Sequence, residues 1–293
     1  MYLVTCCSTV DLSEEHLRER GIRCLPFHYE LDGTSYLDDF GKTVPLDRFY
    51  DAMRNGAETK TSQININEYL EFFKGLLDEG YDILHIAFSS GLSGSINSAN
   101  NAAAMLLEDY PDRKIVIVDS LSASAGHGIV VDYAADMLAE GLSLEEAAAR
   151  VETRKLHAHG WFFTTTLKYL VRGGRVSKAA GLIGDTLGIC PLLNINSEGH
   201  LIPREKIRTK KKVMAALISR MLQVAEGGAD YDGPCHICHS DCIEDANAVI
   251  ALIEENFPNL RGKVQLHEVG TIIGSHTGPG TIGAFFWGQE NTI

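Results

Sequence analysis

The stretch Ile83-Leu84-His85-Ile86-Ala87-Phe88-Ser89-Ser90-Gly91-Leu92-Ser93-Gly94-Ser95-Ile96-Asn97-Ser98-Ala99 decides how this chain is read. It opens on a short apolar run with no helical period, long enough for a strand buried on both faces. It then breaks into small hydroxyl and glycine residues ahead of an Ala-rich segment, which predicts strand, polar loop, helix. Open parallel sheets bind ligands at the carboxyl ends of their strands, where loop amides and a helix N-terminus favour an anion. Ser89, Ser90, Ser93 and Ser95 all lie in this loop, and Gly91 and Gly94 remove the Cβ atoms that would hold a ligand off the backbone. The loop reads as a holder for a ligand bearing oxygens. A purely local reading has the serines capping the following helix.

The spacing separates two chemistries that such a loop could serve. A nucleophile elbow needs Gly-x-Ser-x-Gly so that a strained turn exposes the serine. Gly91-Leu92-Ser93-Gly94-Ser95 places its second glycine one residue early. A phosphate cradle of the Gly-x-x-x-x-Gly-Lys-[Ser/Thr] type needs a lysine, and none stands between Asp82 and Glu108. What remains is a neutral cradle of hydroxyls and amides, suited to a carboxylate or a carboxylic acid.

With 293 residues and 45% hydrophobic content, the chain has room for two domains and ample core. A formal net charge of −13 argues against a nucleic-acid partner, because phosphate neutralisation supplies most of such affinity. An anionic ligand must therefore be held locally, against the overall field. Seven cysteines, an odd number with no signal peptide ahead of them, point to the reduced cytoplasm. Ile83 to Leu107 carries no charged side chain, yet its Ser, Asn and Gly content is too polar for a membrane span. No integral membrane segment is expected.

Upstream of the central strand, Leu3 to Cys6 reads as a first strand, a short helix starts at Ser13, and Ile22 to Glu30 reads as a second strand. Pro45 and Gly56 bracket a helix, and Lys60-Thr61-Ser62-Gln63 is a second hydroxyl cluster, read as a loop. Downstream, Lys114 to Asp119 is another buried strand, and Ser143-x-x-Glu146 is a capping box for a helix running to about His157. Strands alternating with helices imply a parallel, doubly wound sheet over residues 1–157. After Gly160 the pattern changes. Two strands joined at Ser197-Glu198-Gly199 form a hairpin, and the strands and helices that follow give residues 158–293 a mixed-sheet α+β character. Near the carboxyl end, Gly270-Thr271-Ile272-Ile273-Gly274-Ser275-His276-Thr277-Gly278-Pro279-Gly280-Thr281-Ile282-Gly283 makes a backbone able to approach something closely. His276 is its one side chain able to carry charge near neutral pH.

Four motifs taken in order resemble the DegV family of bacterial fatty-acid-binding proteins. They are Thr61-Ser62-Gln63, Ser89-Ser90-Gly91-Leu92-Ser93-Gly94-Ser95, Leu167-Lys168-Tyr169-Leu170-x-x-Gly173-Gly174-Arg175, and Gly274-Ser275-His276-Thr277-Gly278-Pro279-Gly280. The resemblance implies an N-terminal α/β/α domain with a parallel sheet and a C-terminal two-layer α/β domain with a mixed sheet, the second closing over a fatty acid buried between them. It implies that Thr61 and Ser93 hold the carboxyl group and that His276 lies near it, with Ser62 and Gly94 as neighbouring ligand contacts. It also implies a non-enzymatic carrier with no cofactor or metal, presenting its long-chain fatty acid to a separate fatty acid kinase. The chain departs from the family pattern where Thr5-Cys6-Cys7-Ser8-Thr9 lacks an aspartate and where Ile64, instead of proline, follows Thr-Ser-Gln.

Other constellations compete with or extend this reading. Cys235-His236-x-Cys238-His239-x-x-Cys242 has zinc-like spacing, but on a strand alternation sends Cys235 and His239 to one face and His236 and Cys238 to the other. Arg204, Lys206, Arg208, Lys210, Lys211 and Lys212 form a dense basic run, read either as a solvated face or as a docking surface. Arg172, Arg175 and Arg208 are the candidate docking residues. The alternative function is a serine hydrolase using Ser93 and His276, with Asp119 at a strand end as the available acid.

Overall fold

Apolar residues on both faces put Asp82–Ala87 in the middle of a sheet, with Ile83, Leu84 and Ile86 fully buried. The computed structural model describes residues 1–177 and 188–292. In chain order the first strands are β1 (Tyr2–Cys7), β2 (Arg23–Leu25), β3 (His28–Leu31), β4 (Thr34–Leu37), β5 (Thr59–Ser62), β6 (Asp82–Ala87) and β7 (Ile115–Asp119). Strands β2-β1-β6-β7 form a wholly parallel sheet, and β4-β3-β5 a small antiparallel one. The helices of this half are α1 (Glu14–Glu19), α2 (Leu46–Arg54), α3 (Ile66–Asp78), α4 (Ser95–Asp109), α5 (Ala125–Ala139) and α6 (Leu144–Arg154). α3 packs with α4 and α5 with α6 around the parallel sheet, which is why β1 and β6 are apolar on both sides. The Ser143 capping box is present in full at the start of α6.

The second half begins with β8 (Ala158–Phe163) and α7 (Lys168–Arg172), then β9 (Ile189–Ile195), β10 (Leu201–Arg208), α8 (Lys210–Val224), β11 (Cys235–His239) and α9 (Ile243–Asn256). It closes with β12 (Gln265–Glu268), α10 (Thr271–Thr277) and β13 (Ile282–Trp287). The six-stranded sheet runs β10-β9-β8-β13-β11-β12 and is mixed, because only β11 and β12 are parallel. α8 and α9 pack on it, with Arg220 of α8 stacked over Trp161 of β8. Alternation sends Phe162, Gly283 and Phe285 to the opposite, inner face, which looks toward α5, where Trp287 meets Tyr133. Among the described residues no helix is long and apolar enough to cross a membrane.

Three local expectations need correction. The segment read as one strand from Ile22 to Glu30 is two, because Pro26 lacks an N–H for the ladder, so β2 stays in the parallel sheet while β3 leaves for the small one. Thr59–Ser62 is not a loop but a strand pairing with β3, Thr61 opposite Tyr29. Its threonines suit a pleated surface, yet no apolar alternation announces it. The helix from Ser143 ends at Arg154, before His157, in a short 3₁₀ turn. The C-terminal glycine-rich motif contains the helix α10, in which Gly274 is required by packing, since a Cβ there would lie 2.5 Å from the Tyr50 hydroxyl.

Buried histidines tie the parallel sheet to its helices. His85 Nδ1 pairs with Thr5 Oγ1 at 2.9 Å, and His127 Nε2 bonds the Ile86 carbonyl at 2.9 Å. Burial lowers the pKa of His85 to about 3 and of His127 to about 4, so both are neutral in the fold. The unfolded chain binds those protons below about pH 6.5 and the folded chain refuses them, so stability falls as pH drops from there toward 4. Urea midpoints at neutral and mildly acidic pH should therefore differ less in His85→Gln than in the wild type. An unchanged pH dependence in that variant would remove the histidine from the account.

Candidate functional site

A cavity of about 310 Å³ lies between the inner face of the six-stranded sheet and the loops at the carboxyl end of the parallel sheet. Thr61, Ser62, Ser93, Gly94, Arg175 and His276 are among the residues that line it. Phe162, Leu170, Ile195, Ile273 and Phe285 are among its apolar walls. A volume near the lower end of ordinary ligand pockets, with few polar groups gathered together, fits a mostly apolar ligand with one polar head.

The polar groups are arranged as donors. Thr61 Oγ1 lies 2.7 Å from His276 Nε2, a bond between β5 and α10. Burial first, then the charges of Arg175 and Arg172, lower the His276 pKa to about 3, so the ring is neutral and carries one N–H. His276 Nδ1 is buried without a hydrogen-bond partner among the described residues. A proton there would be an orphaned buried donor, which costs more than an unused lone pair, so the proton belongs on Nε2 and is donated to Thr61. The Thr61 hydroxyl hydrogen is thereby free to donate elsewhere. Ser93 repeats the pattern, because its Oγ accepts the Ser95 N–H at 3.2 Å and keeps its own proton available. Two hydroxyls with their acceptor sides occupied facing one cavity suit a carboxylate.

Arg175 supplies a positive charge to the cavity of an acidic chain. Its Nε and Nη2 donate to the Leu92 carbonyl at 3.2 and 3.0 Å, and its Nη1 to the Gly173 carbonyl at 2.6 Å. The sequence reading placed it on a docking face; it is half-buried and lines the cavity, because the turn after α7 folds back onto the serine loop. Arg172 is exposed, donates to Thr59 Oγ1 at 2.9 Å and stacks over Tyr169. Arg208 ends β10 on the exposed side of the strand, which it shares with Lys206 and Arg204, while Glu205 and Ile207 between them are half-buried.

The serine loop is pinned from both halves of the chain. Ser89 Oγ donates to the Gly199 carbonyl at 2.9 Å, and His200 Nδ1 bonds the Gly91 carbonyl at 2.9 Å. Ser95 Oγ bonds the Tyr69 hydroxyl at 2.9 Å, which in turn approaches His85. The glycines have protein neighbours where the sequence reading placed ligand. A Cβ on Gly91 would lie 2.8 Å from the Glu198 and Gly199 carbonyls, and one on Gly94 2.6 Å from Gln63 Oε1. Gly94 still lines the cavity, but its missing Cβ makes room for Gln63. Asp119 accepts from the Ser90 and Leu121 amides, and no carboxylate meets His276 Nδ1 among the described residues. Gln63 is a lining residue that sequence reasoning did not single out, and Arg175 one that it assigned to docking and not to the cavity; their place in the Thr-Ser-Gln and Gly-Gly-Arg motifs was the available signal. Among the described residues no group of three or more His, Cys, Asp or Glu side chains could hold a metal ion.

The model of the family described as "Uncharacterised protein, DegV family COG1307" matches residues 3–289. The chain belongs to the DegV family. A DegV domain-containing protein of Clostridium perfringens is 36% identical over 282 residues, covering 96% of each chain. Among solved structures, the stearic acid-binding protein of Eubacterium ventriosum is 26% identical and superposes with a TM-score of 0.86, each chain fully covered. The fatty acid kinase B3 protein of Streptococcus pneumoniae, loaded with linoleic acid, is 22% identical, has a TM-score of 0.84 and shares the fold over 98% of this chain and 99% of its own. A DegV family protein of Thermus thermophilus that binds fatty acid is 27% identical, with a TM-score of 0.85 over 98% of this chain and 99% of its own. This DegV chain keeps their fold around its cavity.

One glycine of the turn after α7 tests the histidine geometry. Gly173 has an ordinary φ of −75°, so alanine suits its backbone, but the added Cβ would lie 2.1 Å from His276 Nδ1. Gly173→Ala should displace the ring, and the His276 resonance, silent to acid in the wild type, should titrate nearer its ordinary value of about 6.5. A ring that stays neutral through about pH 5 in the variant would show that the contact does not hold it.

Proposed function

We propose that this protein is a cytoplasmic carrier that buries a long-chain fatty acid and presents its carboxyl group to a separate fatty acid kinase. The observation that carries the reading is the pair of hydroxyls, Thr61 and Ser93, each with its acceptor side occupied and its proton free, beside the half-buried Arg175. In this reading the two hydroxyls take one carboxylate oxygen each, and His276 fixes the direction in which Thr61 donates. The apolar wall supplies most of the affinity, since each buried methylene contributes about 0.8 kcal/mol. Fatty-acid binding by the Thermus thermophilus DegV protein and stearic acid binding by the Eubacterium ventriosum protein support the ligand class. The esterase reading has less in its favour, because His276 bonds Thr61 and has no carboxylate behind it among the described residues.

Each head-group hydroxyl should matter modestly and separately. Ser93→Ala and Thr61→Ala should each weaken fatty-acid binding by about 0.5–1.5 kcal/mol, the net value of one hydrogen bond, and more if an oxygen is left buried and unpaired. Calorimetric affinities that match the wild type in both variants would sink the head-group assignment.

Presentation requires the kinase to bring the γ-phosphate of its nucleotide to a carboxylate in a mostly closed protein, so the two must dock in one orientation. Charge complementarity mainly sets association rate and orientation and weakens with salt. Arg208 and Arg172 are exposed and serve this role in the proposal, whereas Arg175 belongs to the cavity. Arg208→Ala, alone or with Arg172→Ala, should leave fatty-acid affinity intact and lower acyl-phosphate formation in a reconstituted assay, most visibly at low salt. Loss of ligand affinity in Arg208→Ala would place that arginine in the fold or pocket instead.

A further inference from the structure

Three glycines from three different elements converge on a single aromatic ring in the cavity wall. A Cβ on Gly160 of β8 would lie 2.9 Å from Phe285 Cε1, one on Gly283 of β13 2.8 Å from Cε2, and one on Gly126 of α5 2.9 Å from Cδ1. None of the three has the left-handed backbone that favours glycine, so conformation does not ask for it there. What the three positions share is the ring. Gly160 stands directly across the ladder from Phe285, and Gly283 is two residues before it on the same inner face of the sheet. With both Cβ atoms missing, the ring can lie down against the sheet, and Gly126 lets it pass under the first turn of α5. Gly283 and Phe285 both line the cavity.

We infer that Phe285, held flat in this glycine niche, is the residue that sets how long an acyl chain the cavity accepts. The inference rests on the fatty-acid reading above and names what selects among fatty acids. A ring lying on the sheet leaves the space above it to the ligand; a ring lifted off the sheet occupies that space. Filling the niche from below therefore shortens the cavity, and removing the ring deepens it. The head-group residues are untouched by either change, so chain length and carboxylate binding separate.

The test measures the affinities of lauric, myristic, palmitic, stearic and arachidic acids for the wild type, Gly283→Ala and Phe285→Leu. Gly283→Ala should move the preferred acid toward the short end, and Phe285→Leu toward the long end. Each two-carbon step excluded should cost about tenfold or more, since a methylene is worth about fourfold in affinity. Opposite shifts in the two variants support the assignment. If Gly283→Ala does not fold, Phe285→Leu alone decides, because a merely structural loss lowers affinity for all five acids alike. An unchanged order of preference in Phe285→Leu overturns the inference and leaves the fatty-acid reading standing. A wild-type protein that binds none of the five acids overturns both.

Discussion

The hydrogen bond between Thr61 Oγ1 and His276 Nε2 joins residues 215 positions apart and orients the donor side of the cavity. Its imidazole is neutral. Burial of the ring, reinforced by Arg175 and Arg172, keeps it so, and the turn at Gly173 closes against its other nitrogen. A charged ring could still donate to Thr61, but it would add a buried cation beside two guanidinium groups, a repulsive and poorly solvated arrangement. The two arginines thus add to burial in keeping the ring neutral, while the lack of a partner at Nδ1 among the described residues keeps its proton on Nε2, directed at Thr61.

Electrostatics at the site runs against the character of the whole molecule. A chain with a net charge of −13 repels anions at long range, yet screening at physiological salt confines that field to about 8 Å. Among the described residues that line the cavity the fixed charge is Arg175, whose donors are turned to the Leu92 and Gly173 carbonyls. Those bonds position the guanidinium without neutralising it, since a carbonyl is dipolar and not charged. The same bonds hold the serine loop, so the group that favours a carboxylate also shapes its cradle. From the other side the hairpin turn at Asn196–His200 meets the loop through Gly199 and His200.

Affinity and selectivity come from different parts of this arrangement. Hydroxyls and a half-buried cation can recognise a carboxylate of any length, whereas the apolar wall measures the chain. The inner face of the six-stranded sheet is well suited to measuring, because β8 and β13 are central strands with small residues on that face beside Phe162 and Phe285. Close-packed interiors transmit a single added methyl to their neighbours. A glycine next to a ring is therefore a sensitive place to set the volume left over.

The sequence by itself determined the local grammar of this protein. Apolar residues on both faces of 83–88 announced a buried strand, the Ser143 capping box announced α6, and the order of four polar motifs announced the family. These features are carried by neighbours in sequence, where period and spacing speak directly. Only the tertiary structure decided which partner each polar group takes. Thr61 lies on a strand because β3 pairs with it, and no period of its own said so. Arg175 lines the cavity because a turn folds back on the Leu92 carbonyl, and Gly94 is glycine beside Gln63. Likewise Gly126, Gly160 and Gly283 acquire a common meaning only around Phe285. The physical reason is the same each time: a missing Cβ or a free hydroxyl proton is defined by what stands opposite, and what stands opposite is set by packing between segments far apart in the chain.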